Sequence, residues 1–486
     1  MSENSPNPES LAWGGLDRHT LSSTAISVVI HGVMLLLLAL VAFPKHRIKP
    51  DFVVMETVVV DNPIAKSDDN FEVQPPKLIE NSVNNLANLQ PTTNVIAEQP
   101  NMLNIDVNQN ELQARIEAEA FLGQDHREGD FAGRSEEART ILVNAFGGNA
   151  STEAAVANGL KWLAEHQQED GSWHFDHRGD KCDGSCNSPG NLNRATVAAT
   201  SLALMSFLGA GNTHLKGKYK PQVERGLNYL MSVFAKAETP GDMREIPSGN
   251  SAFYTQGLAT ITLCEAYGMS GDRRLLKPAQ ACIDFIIDSQ HPEAGGWRYR
   301  LGEVGDTSVV GWQVMALASA RLSRISVPVK PRKLAERFLD SVQLDQGAYY
   351  GYTGPEKKPS TTAVGLLSRL YLGWTPDRPE VKKGVAYLSS VGPSRDDMYY
   401  NYYATQVLHH HGGPEWVQWN KVMREQLLET QDRSDGHAAG SWAPRDRHGA
   451  APGGRHYMTC LSVLTLEVYY RHLPIYQRAS IAGKEY

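Results

Sequence analysis

Cysteine and long basic runs are both scarce in this chain, and each scarcity excludes a class of protein. Five cysteines among 486 residues are too few for a disulfide framework. No block of lysine or arginine is long enough to form a basic stripe, and the formal net charge is -7, so nucleic acid is not an expected partner. Hydrophobic residues make up 41% of the chain, which is enough for one large repeat domain or several ordinary domains.

An uncharged apolar run at residues 21–43 follows a polar N-terminal tail, residues 1–20. At about 1.5 Å per residue, a helix of this length crosses a hydrocarbon layer of ~30 Å. We predict a transmembrane helix and therefore a single-pass protein of the inner membrane. A cleavable signal peptide is the alternative, but the basic n-region is missing and residues 44–47 make a poor cleavage site.

Two polar residues in this run, Ser27 and His31, lie one helical turn apart and share a face of the predicted membrane helix. An ionisable side chain within a membrane span is by default a functional hypothesis, and a neutral histidine near a helix end is the alternative. The S-x-x-x-H pattern resembles the anchor helix of TonB-type energy transducers. That resemblance implies a proton-channel motor complex as partner and a periplasmic C-terminal part. The positive-inside rule favours the opposite orientation, because three basic residues follow the run and one, Arg18, precedes it.

Residues 44–135 are predicted to form a disordered linker. From Asp51 onward Asn, Gln, Pro, Glu and Asp dominate, so little apolar surface is available to offset the entropy of ordering. A short helix is expected only at residues 111–121. A linker of this length would tether the following domain without docking it on the membrane.

Residues 136–486 show helical periodicity that repeats about every fifty residues. Helices with one apolar face alternate with helices rich in small and apolar residues, which is typical of an outer and an inner layer. The predicted fold is all-α, an (α/α)6 toroid of about six helix pairs. An open solenoid is the alternative.

A glutamine, a glycine and a ring recur together at the ends of the predicted outer helices. The four copies are Gln167, Gly171 and Trp173; Gln290, Gly295 and Trp297; Gln343, Gly347 and Tyr349; and Gln431, Gly440 and Trp442. We expect the glutamine to hydrogen-bond the backbone at the start of the next helix, the glycine to supply the turn, and the ring to stack into the junction. The predicted role of these residues is structural.

The Q-x3-G-x-W pattern on paired helices resembles the QW repeats of squalene cyclases and of the related prenyltransferase toroids, over roughly residues 150–475. The resemblance implies an α/α toroid, with terpenoid or prenyl chemistry in the related enzymes. It also implies an Asp-x-Asp-Asp acid in cyclases and a zinc site of Asp, Cys and His in prenyltransferases. The chain lacks the acid motif, the D-D-x-x-D motif and a clear zinc triad.

Three residues are the nearest remnants of that chemistry. Asp396 and Asp397 form the one adjacent Asp pair of the repeat domain, with Ser394 in place of the first Asp of the acid motif. His456 lies in a segment like the one that carries the prenyltransferase histidine, but the order of His and Tyr is inverted. These departures favour a protein that is not an enzyme.

Four potential metal ligands follow the first motif copy: His174, His177, Cys182 and Cys186. Four nitrogen and sulfur ligands suit tetrahedral Zn²⁺. A disulfide between the two cysteines, or two free thiols, are the alternatives. Structural zinc is therefore one of three hypotheses for this loop, and no other cofactor is expected.

Aromatic and polar residues near the predicted inner helices are candidates for a ligand site in the central cavity. They are Tyr254, Asp306, Trp312, Gln313, Tyr399, Tyr402 and His409. Aromatic walls can stabilise a carbocation or bind a lipid, a glycan or a peptide, and packing between helices is the alternative. The predicted function is an envelope-facing binding or scaffold module for an isoprenoid-like lipid or a protein partner. The alternative is a terpenoid or prenyl-group enzyme with displaced catalytic residues.

Overall fold

The computed structural model describes residues 109–122, 129–179, 182, 184–445 and 450–472. The predicted membrane helix, with Ser27 and His31, and most of the predicted linker lie outside these residues. Within the described ranges, no helix has both the length and the apolar character needed to cross a membrane.

Outer and inner helices alternate along the described chain. Helix α1 (Gln109–Leu122), a 3-10 turn (Gly129–Arg134) and α2 (Glu136–Phe146) precede the first pair. The outer helices are α3 (Ala150–Glu165), α5 (Lys220–Lys236), α7 (Arg273–Asp288), α9 (Val329–Val342), α11 (Pro379–Val391) and α13 (Gly413–Thr430). The inner helices are α4 (Thr196–Gly209), α6 (Ala252–Ser270), α8 (Thr307–Leu322), α10 (Pro359–Leu372), α12 (Met398–His411) and α14 (Ala450–Leu466). The short α15 (Val468–Arg471) follows, and β1 (Gln343–Leu344) pairs antiparallel with β2 (Tyr349–Tyr350).

The two layers differ in which faces they bury. Helix α7 buries Leu275, Ala279, Cys282 and Ile286, spaced three or four residues apart, so one stripe faces the core. In α4 every residue from Val197 to Gly209 is buried. A helix that is apolar all round needs neighbours on every side, which an inner position provides.

The inner helices form a closed ring. Each one contacts the next from α4 through α14, and α14 in turn contacts α4. In the outer layer α13 contacts α3, so the last repeat packs against the first. The all-α prediction is confirmed, and within the described residues the six pairs close into a toroid, whereas an open solenoid would leave its two ends apart.

The second motif copy shows how the repeated residues join one helix pair to the next. Gln290 Nε2 donates to the carbonyl oxygens of Gly295 at 2.8 Å and of Pro331 at 3.0 Å, the latter in the first turn of α9. Trp297 Nε1 donates to the carbonyl of Ile286 at 2.7 Å, near the end of α7. Gly295 has φ +78°, and a Cβ there would lie 1.9 Å from a backbone oxygen of α9, so only glycine fits the turn.

The first and last copies repeat this geometry, and the last one closes the ring. Gln167 Nε2 donates to the carbonyl of Gln222 in α5 at 2.9 Å. Gln431 Nε2 donates at 2.8 Å to the carbonyl of Gly440 and at 2.8 Å to that of Ala155. Because Ala155 belongs to α3, the last motif copy binds the first outer helix.

Two of the remaining repeats use variations of the motif. In the third copy Tyr349 takes the place of the tryptophan and packs against Tyr387, with ring centroids 5.3 Å apart. In the second repeat, which has no motif in its sequence, Gln256 from inner helix α6 donates to the carbonyl of Gly241 at 2.9 Å and accepts from the N–H of Met243 at 2.8 Å. A glutamine from a different helix thus holds the equivalent turn.

The folded region begins before the predicted boundary at residue 136. Helix α1 packs on α2, and the 3-10 turn contacts α15. Phe131 and Arg134 are buried, and Arg134 pairs with Glu265 near the C-terminal end of α6 at 2.8 Å. The last residues of the predicted linker therefore cover the end of the ring at which the inner helices finish.

Candidate functional site

A group of rings, hydroxyls and one carboxyl lies where inner helices begin, and we call it the mouth cluster. It consists of Tyr254, Arg298, Tyr299, Asp306, Ser308, Tyr352 and Tyr399. Ser308 Oγ accepts a hydrogen bond from Tyr254 Oη at 2.9 Å and lies 2.7 Å from Tyr399 Oη. These three residues start α6, α8 and α12, so a chain of hydroxyls connects three inner helices.

Asp306 is the buried acid of the mouth cluster. It is the N-cap of α8, where Oδ1 accepts a hydrogen bond from the N–H of Val309 at 2.9 Å. Its Oδ2 lies 3.6 Å from Nε of Arg298. Burial raises the pKa of Asp306 from the ordinary 3.8 to about 6, against the opposing effects of the Val309 N–H, the Tyr352 hydroxyl and the Arg298 charge.

The rings near this acid are half-buried. Tyr254, Tyr299, Tyr352 and Tyr399 all have intermediate exposure. The hydroxyls of Tyr299 and Tyr352 are hydrogen-bonded to each other. The guanidinium of Arg298 lies 5.4 Å from the Tyr299 ring centroid and 5.9 Å from that of Tyr352, a cation–π arrangement that holds the three side chains together.

Large rings fill the axis of the toroid below the mouth cluster. Trp312 stacks on Tyr402 with ring centroids 5.8 Å apart and meets Tyr403 edge-on at 5.6 Å. Tyr403 in turn lies 4.9 Å from Tyr399. Trp312, Tyr402 and Tyr403 are 3%, 1% and 0% exposed, so these side chains form a packed core along the axis.

An ion network closes the axis at its far end. Glu265 pairs with Arg134 at 2.8 Å and with Arg471 at 3.0 Å, and all three side chains are buried. Burial acts to raise the pKa of Glu265, but the charges of Arg134 and Arg471 outweigh it and hold that pKa below its ordinary value. Near this end Tyr371 Oη donates to Gln406 Oε1 at 3.4 Å.

A small cavity lies to one side, among α12, α13 and α14. Arg395, Asn401, Gln426 and Met458 are among its lining residues, and its volume is about 30 Å³. That volume holds one or two water molecules and excludes an isoprenoid chain.

Five of the seven residues predicted for a ligand site lie in two places. Tyr254, Asp306 and Tyr399 come together in the mouth cluster, and Trp312 and Tyr402 fill the axis. Tyr299 and Tyr352 of the mouth cluster were not predicted from the sequence, although each follows a motif ring within three residues. An aromatic residue just after the motif ring is the signal that could have found them.

The other two predicted residues have packing roles. Gln313 Nε2 donates to the carbonyl of Phe253 at 2.7 Å and ties α8 to α6. His409 lies between Phe146 and Trp416, with ring centroids 5.1 and 5.0 Å away. Burial lowers the pKa of His409 to about 3, so its ring is neutral at physiological pH.

The remnants of cyclase and prenyltransferase motifs make local contacts. Asp397 caps α12: Oδ1 accepts from the N–H of the third helical residue at 2.8 Å, and Oδ2 accepts from Ser360 Oγ at 2.8 Å. Asp396 is exposed. His456 Nε2 lies 2.9 Å from the carbonyl oxygen of Ala199. These are contacts of helix capping and of packing between inner helices.

A second cluster of chemically active residues lies where the first and last repeats meet. It consists of His166, Cys182, Cys186 and His437, whose ligand atoms all lie within 4.8 Å of one another. Cys186 Sγ is 3.4 Å from His166 Nε2 and 3.3 Å from His437 Nδ1. The two cysteines are free thiols and form no disulfide. We call these four residues the junction cluster.

The two histidines predicted as ligands from sequence spacing lie outside the junction cluster. His174 is exposed and its Nε2 lies 3.2 Å from Ser172 Oγ. His177 is buried against Trp162, and its ring centroid lies 5.7 Å from that of His166. The structure thus has His166 and His437 in their place, and His437 is 251 residues from Cys186, a separation that no local pattern reveals.

Comparison with known proteins identifies the class of fold. Residues 137–255 match the family model of the squalene-hopene cyclase C-terminal domain. That range covers the first repeat, the outer helix α5 of the second and the start of α6, and it lies apart from the predicted anchor helix. Together with the closed ring of helix pairs, the match defines the protein as a squalene cyclase-like α/α toroid.

Curated protein sequences contain no match to this chain, and the similar solved structures are distant. An inactive variant of the GH76A α-1,6-mannanase of Salegentibacter has 11% identity and TM-score 0.47, covering 66% of this chain and 99% of its own. Cellobiose 2-epimerase from Bacillus thermoamylovorans has 13% identity and TM-score 0.46, covering 65% and 98%. A type II terpene cyclase from Scytonema has 15% identity and TM-score 0.42, covering 66% and 96%.

Proposed function

We propose that this chain is a membrane-anchored binding module whose toroid presents the mouth cluster to a protein partner, without cyclase chemistry. The observation that carries the proposal is the filled axis. Side chains occupy it from Tyr399 through Trp312 and Tyr402 to the Glu265 network. A hydrocarbon substrate of the squalene type needs a deep apolar cavity that surrounds most of its surface, whereas a protein partner needs only an accessible rim.

The composition of the mouth cluster supports a protein partner. Tyrosine and arginine are enriched among the residues that dominate binding energy in protein interfaces. Four half-buried tyrosines and Arg298 lie together here. The hydroxyl pair of Tyr299 and Tyr352, with Arg298 over both rings, fixes these side chains before binding, which lowers the entropy that association costs.

The N-terminal segment fits the same role. A single-pass helix at residues 21–43 followed by a long linker would keep the toroid near the membrane. The mouth cluster could then contact any partner within the reach of the linker. We place the toroid in the periplasm, with Ser27 and His31 available to a proton-channel complex. An isoprenoid-like lipid is the competing ligand and is one of the outcomes of the experiment below.

Photo-crosslinking in the source cells tests the proposal. The full chain would carry p-benzoyl-phenylalanine in place of Tyr299, and a matched control would carry it in place of Val417, which is 57% exposed on outer helix α13. We expect light to produce a protein adduct of discrete mass at position 299 and not at 417, and we expect Arg298→Ala to reduce its yield. A lipid adduct, or no adduct above the control, would contradict a protein partner.

One observation favours a second function, an enzyme that uses Asp306 as a general acid. A carboxyl with a pKa of about 6 can hold and donate a proton near neutral pH. The assay is incubation of the full chain with squalene and analysis of products by gas chromatography and mass spectrometry. Products that form with the wild type and disappear with Asp306→Asn would establish the enzyme, and we expect none.

A further inference from the structure

We propose that the junction cluster binds one structural zinc ion, which clasps the first repeat of the toroid to the last. Two thiols and two imidazoles are a ligand set that Zn²⁺ prefers, and four protein ligands leave no open position for a substrate. His166, Cys182 and Cys186 are buried, and His437 closes the cluster from the exposed side. The site is independent of the mouth cluster and of the proposed function.

The distances in the junction cluster suit a tetrahedral ion. With Zn–S near 2.3 Å and Zn–N near 2.05 Å, a sulfur and a nitrogen ligand lie about 3.6 Å apart. Cys186 Sγ is 3.4 and 3.3 Å from the two imidazole nitrogens. Since all four ligand atoms lie within 4.8 Å of one another, rotamer adjustments of less than about 1 Å bring them to tetrahedral spacing.

The surroundings of His166 orient it as a ligand. Its Nδ1 lies 2.7 Å from the carbonyl oxygen of Trp162 and donates to it, since a carbonyl can only accept. The lone pair of Nε2 is therefore directed toward Cys186. The Trp162 ring stacks on the imidazole at 3.9 Å and restricts its rotation. A backbone carbonyl on the far nitrogen is the usual support of a metal-bound histidine.

The ligands come from the two ends of the ring. His166 caps α3, and Cys182 and Cys186 lie in the loop after the first motif copy. His437 lies between Gln431 and Gly440, in the insertion that lengthens the last motif copy. That insertion is explained if its role is to bring a ligand across the junction.

Arg455 shows that the same two loops are already held together by other contacts. Its guanidinium hydrogen-bonds Asn187 of the first repeat and donates to Ser441 Oγ of the last at 2.7 Å.

An ion bound by two thiolates and two neutral imidazoles has no net charge, which suits a buried junction. Binding would release the two thiol protons to solvent.

Metal analysis of the purified full chain tests whether the junction cluster binds zinc. We expect about one zinc ion per chain, and we expect Co²⁺ in its place to give the thiolate charge-transfer and tetrahedral d–d absorption of an S₂N₂ site. Cys186→Ser and His437→Ala should both lose the metal; His437 is exposed, so its replacement leaves the core intact. His174→Ala, on the same loop but outside the cluster, should keep it.

Thermal unfolding gives a second test of zinc binding by the junction cluster. A chelator should lower the Tm of the wild type and of His174→Ala by about 5 °C or more, and should leave the Tm of His437→Ala unchanged. The proposal is overturned if the wild type neither contains zinc nor gives the Co²⁺ spectrum on titration. It is equally overturned if Cys186→Ser and His437→Ala retain the wild-type metal content.

Discussion

Replacing Glu265 with glutamine is expected to lower the free energy of unfolding by about 3–5 kcal/mol, because it removes the carboxylate that pairs with two buried guanidinium groups. Arg134 and Arg471 pair with Glu265 at 2.8 and 3.0 Å, and every side chain involved is at most 4% exposed. Glu467 is a weaker partner, since its carboxyl lies 3.7 Å from Arg471 and burial raises its pKa well above the ordinary value. Glu265 is therefore the carboxyl that pairs with both Arg134 and Arg471.

Chemical denaturation of the full chain measures this loss. Glu165→Gln is the matched control, because its partner Lys161 is 3.8 Å away and 69% exposed; we expect it to change stability by less than about 0.5 kcal/mol. Since the pKa of Glu265 is lowered in the folded chain, its contribution is present above its ordinary value of 4.5 and is lost as the pH falls below it. A Glu265→Gln protein as stable as the control would contradict the ion network.

Replacing Asp306 with asparagine is expected to stabilise the protein at about pH 8, by roughly 2–3 kcal/mol. The pKa of Asp306 is raised from 3.8 to about 6, and a shift of about two units corresponds to about 3 kcal/mol. A raised pKa means that the folded state binds the proton more tightly, so stability is lost as the pH rises from about 4 through about 6. Asparagine keeps the N-cap and removes the charge.

Unfolding at about pH 4 and about pH 8 separates this effect from loss of the helix cap. The gain should be near zero at the lower pH and full at the higher. Asp397→Asn is the control, because Asp397 also caps an inner helix but has hydrogen bonds to both carboxyl oxygens; we expect no gain from it at about pH 8. If Asp306→Asn is destabilised equally at both values, Asp306 acts only as a cap.

The repeat architecture could be predicted from sequence because its determinants are local. Each outer helix carries a 3.6-residue apolar stripe, and Gln290, Gly295 and Trp297 place a helix end, a turn and a ring within eight residues. The helices of the second repeat were predicted, but the residue that holds its turn was not, because Gln256 comes from the inner helix and lacks the spacing of the motif. The folding of residues 129–134 could not be predicted from local sequence, because Arg134 is stabilised by Glu265, which is 131 residues away.

The candidate site was predicted only in part, for a related reason. Sequence placed Tyr254, Asp306 and Tyr399 near the inner helices, and the structure brings them together at one end of the ring. The sequence could not show that Trp312 and Tyr402 fill the axis, because which face of a helix buried on all sides points inward depends on packing with every neighbour. The junction cluster could not be predicted either, because His437 contacts Cys186 only when the ring closes.

Untargeted lipid mass spectrometry on the purified full chain tests the central claim, that the axis is filled and the mouth alone binds a partner. We expect no polyprenyl lipid in stoichiometric amount, because rings from Tyr399 to Tyr402 occupy the space that such a chain would need. A polyprenyl compound that copurifies at about one per chain would contradict the filled axis and favour a terpenoid-binding toroid.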